Sequence, residues 1–154
     1  MAKHEIRAAD PGDLVAVRAI ARAAYAPYVP RIGREPAPMV ADFGASLAAG
    51  HLWVAGDPVT GFVVAYPRGD HWHLENVAVA PEAQGTGLGR TLVAHVEAMA
   101  RASGAAAVEL YTNVKMTENQ ALYPRLGYAE TRRAAQDGFE RVFYRKALSQ
   151  NAGD

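Results

Sequence analysis

Gln84-Gly85-Thr86-Gly87-Leu88-Gly89-Arg90 is the stretch that decides how this chain folds. Before it, Asn76-Val77-Ala78-Val79 reads as a strand. After it, Leu88, Leu92, Val96 and Met99 recur as a helical stripe that ends near Gly104. A glycine-rich link from strand to helix lets the backbone approach a ligand closely with its amides turned inward. The helix N-terminus adds partial positive charge, so a phosphate or pyrophosphate suits this geometry. A tight turn that binds nothing is the bland alternative, and an isolated loop of this kind leaves both open. A Walker P-loop does not fit, because Arg90-Thr91 follows Gly89 without the four-residue gap and without the lysine. A dinucleotide fingerprint starting at Gly85 would place its third glycine at Arg90, although Glu109 lies at a ribose-binding spacing. The three antiparallel-looking strands before the loop also speak against that fold.

Those strands are residues 51–55, 61–66 and 72–80, separated by Gly56-Asp57-Pro58 and Pro67-Arg68-Gly69-Asp70. Upstream, residues 4–10 read as a short strand closed by the turn Asp10-Pro11-Gly12. Leu14, Val17, Ala21, Ala24 and Tyr28 then mark a helix that fades before Pro30. A second helix carries Met39, Phe43 and Leu47 and stops at Gly50. Downstream, Val108–Thr112 is a strand, and Thr117-Glu118-Asn119-Gln120 fits a capping box opening a short helix that Gly127 can end. Residues 128–134 and 139–147 form a closing hairpin, and Ser149–Asp154 reads as a frayed tail. The order β-α-α-β-β-β-α-β-α-β-β is an α+β fold: a mixed, mostly antiparallel sheet flanked by about four helices, in a single domain over residues 1–154.

Composition sets outer bounds. The chain has 154 residues, one domain's worth, with 16 Lys+Arg against 16 Asp+Glu and a formal charge of zero. Such a balance lacks the electrostatic footprint of a nucleic-acid or anionic-membrane binder, so neither partner is expected. There are no cysteines, which excludes disulfides, thiolate metal sites and a cysteine nucleophile. The start, Met1-Ala2-Lys3-His4-Glu5, has charges where a signal peptide needs an apolar run, so none is expected. No run reaches the roughly 18 apolar residues of a membrane span, and a cytoplasmic protein is expected. Half the residues are hydrophobic, but 32 are alanines that bury little area, so the larger apolar side chains must supply most of the core.

Two blocks together resemble the GNAT superfamily of N-acetyltransferases. Gln84-x-x-Gly87-x-Gly89 is similar to the family's Arg/Gln-x-x-Gly-x-Gly/Ala signature, and here it lies between a strand and an amphipathic helix. Asn119-Gln-Ala-Leu-Tyr123-Pro-Arg-Leu-Gly127-Tyr128 resembles the family's later helix, Asn-x-x-Ala-x-x-x-Tyr-x-x-x-Gly-Phe/Tyr. The segment order matches over roughly residues 4–147. The resemblance implies an acyl-CoA N-acyltransferase fold, acetyl-CoA as cosubstrate, no metal, and transfer of the acetyl group to a primary amine by direct attack. It also admits a homodimer. A non-catalytic acyl-CoA binder or sensor of the same fold is the alternative. Pro124 motivates it, because it removes an amide from the helix beside the candidate acid and disfavours helical geometry at Tyr123.

By this resemblance, Val77, Ala78 and Val79 splay from the neighbouring strand and pair with the pantetheine arm, and the Val79 amide is the oxyanion donor. The amides of Gly85, Thr86, Gly87, Leu88, Gly89 and Arg90 cradle the pyrophosphate, with the Gln84 and Arg90 side chains beside it. Tyr123 stands where many members place the tyrosine that protonates the departing sulfur, and Asn119, one turn earlier, faces the same cofactor. A packing tyrosine and a solvated asparagine are the plain readings of those two residues. An amine of ordinary pKa near 10.4 must also lose a proton. Glu75 is the first candidate base and His73, on the same strand face, its rival, with water as a third route. The early helices and the late hairpin frame the acceptor in this family. There the chain offers Tyr25, Tyr28, Arg31, Arg34 and Glu35, then Phe139 and Tyr144. Tyr28, Arg31, Glu75 and Tyr144 are the acceptor-site candidates, and Tyr25 is read as a packing residue. Aromatic rings with both signs of charge suit a small polar amine or an amino-acid-like acceptor.

Overall fold

Alternating and fully apolar runs become strands, and the 3.6-residue stripes become helices. The computed structural model describes residues 5–148. Its strands are β1 (Ile6–Ala8), β2 (Leu52–Ala55), β3 (Gly61–Arg68), β4 (His71–Val79), β5 (Ala107–Asn113), β6 (Ala129–Gln136) and β7 (Phe139–Ala147). The sheet order is β1-β2-β3-β4-β5-β7-β6. The β1–β2, β2–β3, β5–β7 and β6–β7 pairs are antiparallel, and β4–β5 is parallel. The helices are α1 (Leu14–Tyr25), α2 (Val29–Ile32), α3 (Phe43–Ala48), α4 (Leu88–Ala102) and α5 (Thr117–Arg125). The expected mixed α+β sheet with about four helices is therefore present, α2 being a single turn. His4 of the expected first strand and the tail 149–154 lie outside the described residues.

Two compact units divide the chain: the residues through Ala65 with Asn76–His95, and Tyr66–Glu75 with the residues from Val96 on. In the first unit, Val17, Ile20 and Ala21 of α1, Phe43 of α3, and Leu52, Val54, Phe62, Val64 and Ala78 of the strands share one apolar core. Phe43 and Phe62 meet edge to face at 5.1 Å. Gly61 allows a close approach: a Cβ there would lie 2.8 Å from Leu88 Cδ2 and 3.2 Å from Leu92 Cδ1. Trp53 sits with its ring 6.0 Å from that of His95.

In the second unit, Leu74, Val108, Leu110, Val142, Tyr123, Tyr128 and Tyr144 are buried. The Tyr128 hydroxyl donates to Glu97 Oε2 at 2.8 Å and Lys146 Nζ donates to Glu97 Oε1 at 3.0 Å. This pairing satisfies a carboxylate that is only 7% exposed. Trp72 Nε1 donates to Ser103 Oγ at 3.0 Å.

Several boundaries differ from the sequence reading. The first helix ends at Tyr25, yet the path stays helical through Pro27 and Pro30, because each proline falls in the first turn of a new segment where no amide is needed. It stops at Gly33, with φ +90°. Met39 lies in a separate 3-10 turn, Ala37–Val40. Helix α3 starts afresh at Phe43, where the Asp42 carboxylate accepts from the Ala45 amide at 3.0 Å. β3 runs through Pro67 to Arg68, so the turn shrinks to Gly69-Asp70.

The capping box at Thr117 does not form. Met116 is the N-cap and Thr117 is already in the first turn, while the Gln120 side chain donates to the Val114 carbonyl at 2.7 Å. Pro124 does not break α5. The Tyr128 amide donates to the Tyr123 carbonyl at 3.0 Å and the Gly127 amide to that of Pro124 at 3.1 Å, a Schellman close with Gly127 at φ +98°.

Candidate functional site

The glycine loop belongs to the first unit. After β4 the chain makes a 3-10 turn at Pro81–Ala83, Gln84 is extended, and Gly85 and Gly87 take φ of +82° and +87° before α4 begins at Leu88. Both glycines are required by that left-handed backbone and not by crowding, since a Cβ at either would meet no atom within 4 Å. The space in front of the loop is open, and Gln84 to Gly87 are exposed. Three side chains fix the backbone around the loop. Thr86 Oγ1 donates to the Ala83 carbonyl at 2.6 Å, Thr91 Oγ1 to that of Gly87 at 3.0 Å, and Gln84 Nε2 to that of Val79 at 3.3 Å. The result is a preformed backbone cradle at the start of a fifteen-residue helix. It fits an anionic diphosphate, with Arg90 exposed in the first helical turn.

The structure narrows what individual loop and strand residues can offer. Leu88 is 2% exposed and Ala78 6%, so their side chains serve the core and only their backbone is available. Val77 already has a donor at its carbonyl, the Tyr25 hydroxyl at 2.8 Å. Tyr25, read from the sequence as a packing residue, therefore anchors the end of α1 to the strand that leads into the loop. Also in this unit, the Arg31 guanidinium carbon lies 5.0 Å from the Tyr28 ring centre, and Arg22 pairs with Glu35 at 3.7 Å.

The second unit holds the candidate base. His71, His73 and Glu75 alternate onto one face of β4, and the parallel register His71–Ala107 to Leu74–Leu110 brings Tyr111 of β5 alongside Glu75. Glu75 Oε1 accepts from the Tyr66 hydroxyl and lies against His73 Nε2, both at 3.0 Å, while Oε2 accepts from the Tyr111 hydroxyl at 3.2 Å. The hydrogen bond from His73, above all, holds the Glu75 carboxyl at about 2, against burial, which pushes the other way. Burial and the neighbouring carboxylate together push the Tyr66 phenol up to about 12. Tyr66 and Tyr111 were not singled out in the sequence, because only strand register makes them neighbours of Glu75.

Tyr123 lies on the other side of the second unit's strands. Its ring is 5% exposed, 5.8 Å from both Tyr128 and Tyr144. Its hydroxyl has no hydrogen-bond partner among the described residues, and burial raises its pKa well above the phenol range. Asn119, expected to face the cofactor, turns its amide toward β5, where Nδ2 donates to Thr112 Oγ1 at 3.0 Å. Tyr144 must be withdrawn from the acceptor-site candidates. It is 3% exposed against Tyr123, on the face opposite Phe143, which stacks 5.6 Å from Tyr111. One position along a strand changes the face. Among the described residues no group of three or more His, Asp or Glu side chains is placed to hold a metal ion, and no helix is long and apolar enough to cross a membrane.

Residues 16–128 match the profile of the Acetyltransferase (GNAT) family. No match was found among curated protein sequences. Among solved structures, the chain is similar to the ribosomal-protein-S18-alanine N-acetyltransferase from Escherichia coli: TM-score 0.76, 21% identity, 97% of this chain and 96% of that one covered. It is similar to the paia N-acetyltransferase from Thermoplasma acidophilum in complex with coenzyme A, with a TM-score of 0.80, 16% identity and coverage of 96% and 100%. Naa20 from Chaetomium thermophilum, in complex with a bisubstrate analogue, matches with a TM-score of 0.70, 21% identity and coverage of 95% and 87%.

Proposed function

The chain belongs to the acetyltransferase (GNAT) family, and from that premise we propose that it moves an acetyl group from acetyl-CoA to the primary amine of a small or amino-acid-like acceptor. The observation that carries this reading is the loop: two left-handed glycines over open space at the start of α4. Acetyl-CoA supplies the activated acetyl thioester and a diphosphate for which the cradle is suited. The amides of residues 85–90 bind that diphosphate, with Arg90 adding charge and Gln84 holding the start of the loop through the Val79 carbonyl. The backbone of Val77, Ala78 and Val79 lies along the pantetheine arm. The amide of Val79 faces the thioester oxygen as it gains charge.

The base assignment shifts from the sequence reading. A carboxylate held at about 2 is a poor proton acceptor, so Glu75 draws in the acceptor's ammonium by charge and orients His73, which takes the proton. The amine nitrogen bonds to the acetyl carbon as the carbon–sulfur bond breaks. Of the three ammonium protons, one stays on the amide, one reaches solvent through His73, and the third balances the proton Tyr123 gives to sulfur. Burial keeps the Tyr123 phenol protonated at neutral pH, and contact with the departing sulfur, not its acidity, is what lets it donate. The persistence of α5 through Pro124 supports this catalytic reading over a non-catalytic binder.

Calorimetric titration of acetyl-CoA and desulfo-CoA, followed by free-thiol release across a panel of amines, tests the proposal. Binding with acceptor-dependent release is the expected result. Absence of binding would sink the loop assignment.

A further inference from the structure

Arg141 has no part in the chemistry above, and its surroundings are unusual for a structural arginine. It is 6% exposed, with its guanidinium carbon 4.2 Å from the Tyr111 ring centre and 5.6 Å from that of Phe139. Nη1 donates to Gln136 Oε1 at 3.2 Å and to Asp137 Oδ2 at 3.4 Å. The Asp137 side chain is 84% exposed, so water screens most of its charge from the guanidinium. Nη2 and Nε have no protein partner among the described residues.

Neither of those nitrogens is sealed in, for among the described residues His95 Nε2 is the sole side-chain nitrogen or oxygen that is both buried and unpartnered. A buried cation with part of its donor fork unused is costly unless an acceptor arrives. The residue also lines a groove with Val114, Arg133, Ala134, Ala135 and Glu140. The ring beneath the guanidinium belongs to Tyr111, whose hydroxyl donates to Glu75. One tyrosine therefore carries a carboxylate at its hydroxyl and a guanidinium over its face, both within the second unit.

We propose that the acceptor carries a carboxylate as well as its amine, the carboxylate being gripped by the unused N–H groups of Arg141 while Glu75 attracts the ammonium. Planar bidentate recognition of a carboxylate is what an arginine fork does best. This inference rests on the transferase reading and narrows its substrate to an amino acid, with charges separated by about the span of one tyrosine.

The test compares ω-amino acids of three to six carbons with their carboxamides in the thiol-release assay, using the full chain and saturating acetyl-CoA. The acids should show KM values at least tenfold below those of the amides. Arg141→Met keeps an unbranched apolar stack on Tyr111 and should abolish that preference with kcat changed less than threefold. Arg141→Lys should restore part of it. Equal KM for acid and amide in the wild type, or a preference that survives in Arg141→Met, overturns the inference while leaving the transferase standing. If acetyl-CoA binds but none of these amines releases thiol, the inference also falls. Failure of acetyl-CoA to bind instead overturns the reading beneath it. Should Arg141→Met fold poorly by circular dichroism, the wild-type acid-to-amide comparison decides alone.

Discussion

Glu75 shows how much one side chain's surroundings change its chemistry. With two phenols and an imidazole around it, the carboxyl sits at about 2 against an ordinary 4.5. A depressed acid stabilises the fold above its unfolded pKa, and that contribution is lost as pH falls through the folded one. Glu75→Gln should therefore lower stability by about 1–3 kcal/mol at neutral pH. The gap should hold down to about pH 5 and close between 4.5 and about 2, as denaturant melts across pH would report. Tyr123→Phe should leave acetyl-CoA affinity unchanged and cut kcat by on the order of a hundredfold or more. Unchanged turnover would remove the phenol from the mechanism. Glu75 and His73 could be found in the sequence because two-residue spacing places them on one strand face. Tyr66, Tyr111 and Arg141 could not, since strand pairing and not local pattern brings them to that face. Tyr144 was misplaced for a related reason: burial, which no motif reports, decides which of Phe143 and Tyr144 faces the site.

Among the elements, the glycine loop and strand β3 respond to substitution in opposite ways. Gly61→Ala would push a methyl into Leu88 and Leu92, and overpacking of this kind costs about 1–3 kcal/mol, measurable as a lower melting temperature. A Cβ at Gly87 meets no atom within 4 Å, so the cost of Gly87→Glu to the fold is the strain of a left-handed L-residue, about 1–2 kcal/mol. Its carboxylate would instead repel the diphosphate, so cofactor titration should show binding lost from a folded protein. The strand-to-helix loop was visible because glycine spacing encodes backbone conformation directly. Helix ends were less so. Pro27 and Pro30 read as stops, yet each merely begins a new turn, and Thr117 lies one residue too late to act as a cap.

At the scale of the whole molecule, the order of strands and helices was legible because periodicity changes at each junction. The parallel β4–β5 pair follows from the crossover through α4, a connection parallel neighbours require. A ligand that binds the folded chain alone should raise its melting temperature with concentration, by about 2.7 kcal/mol of stability at a hundredfold excess over Kd. Acetyl-CoA should do so for the wild type and fail to do so for Gly87→Glu. The chain's two tryptophans fall one to each unit, Trp53 beside His95 and Trp72 on Ser103. Fluorescence therefore gives the molecule two separate windows: Trp72→Phe leaves emission from the first unit only, and Trp53→Phe from the second. Because burial lowers the pKa of His95, acid quenching of Trp53 should set in below the ordinary histidine range, and that shifted midpoint is an optical signature of an intact first unit.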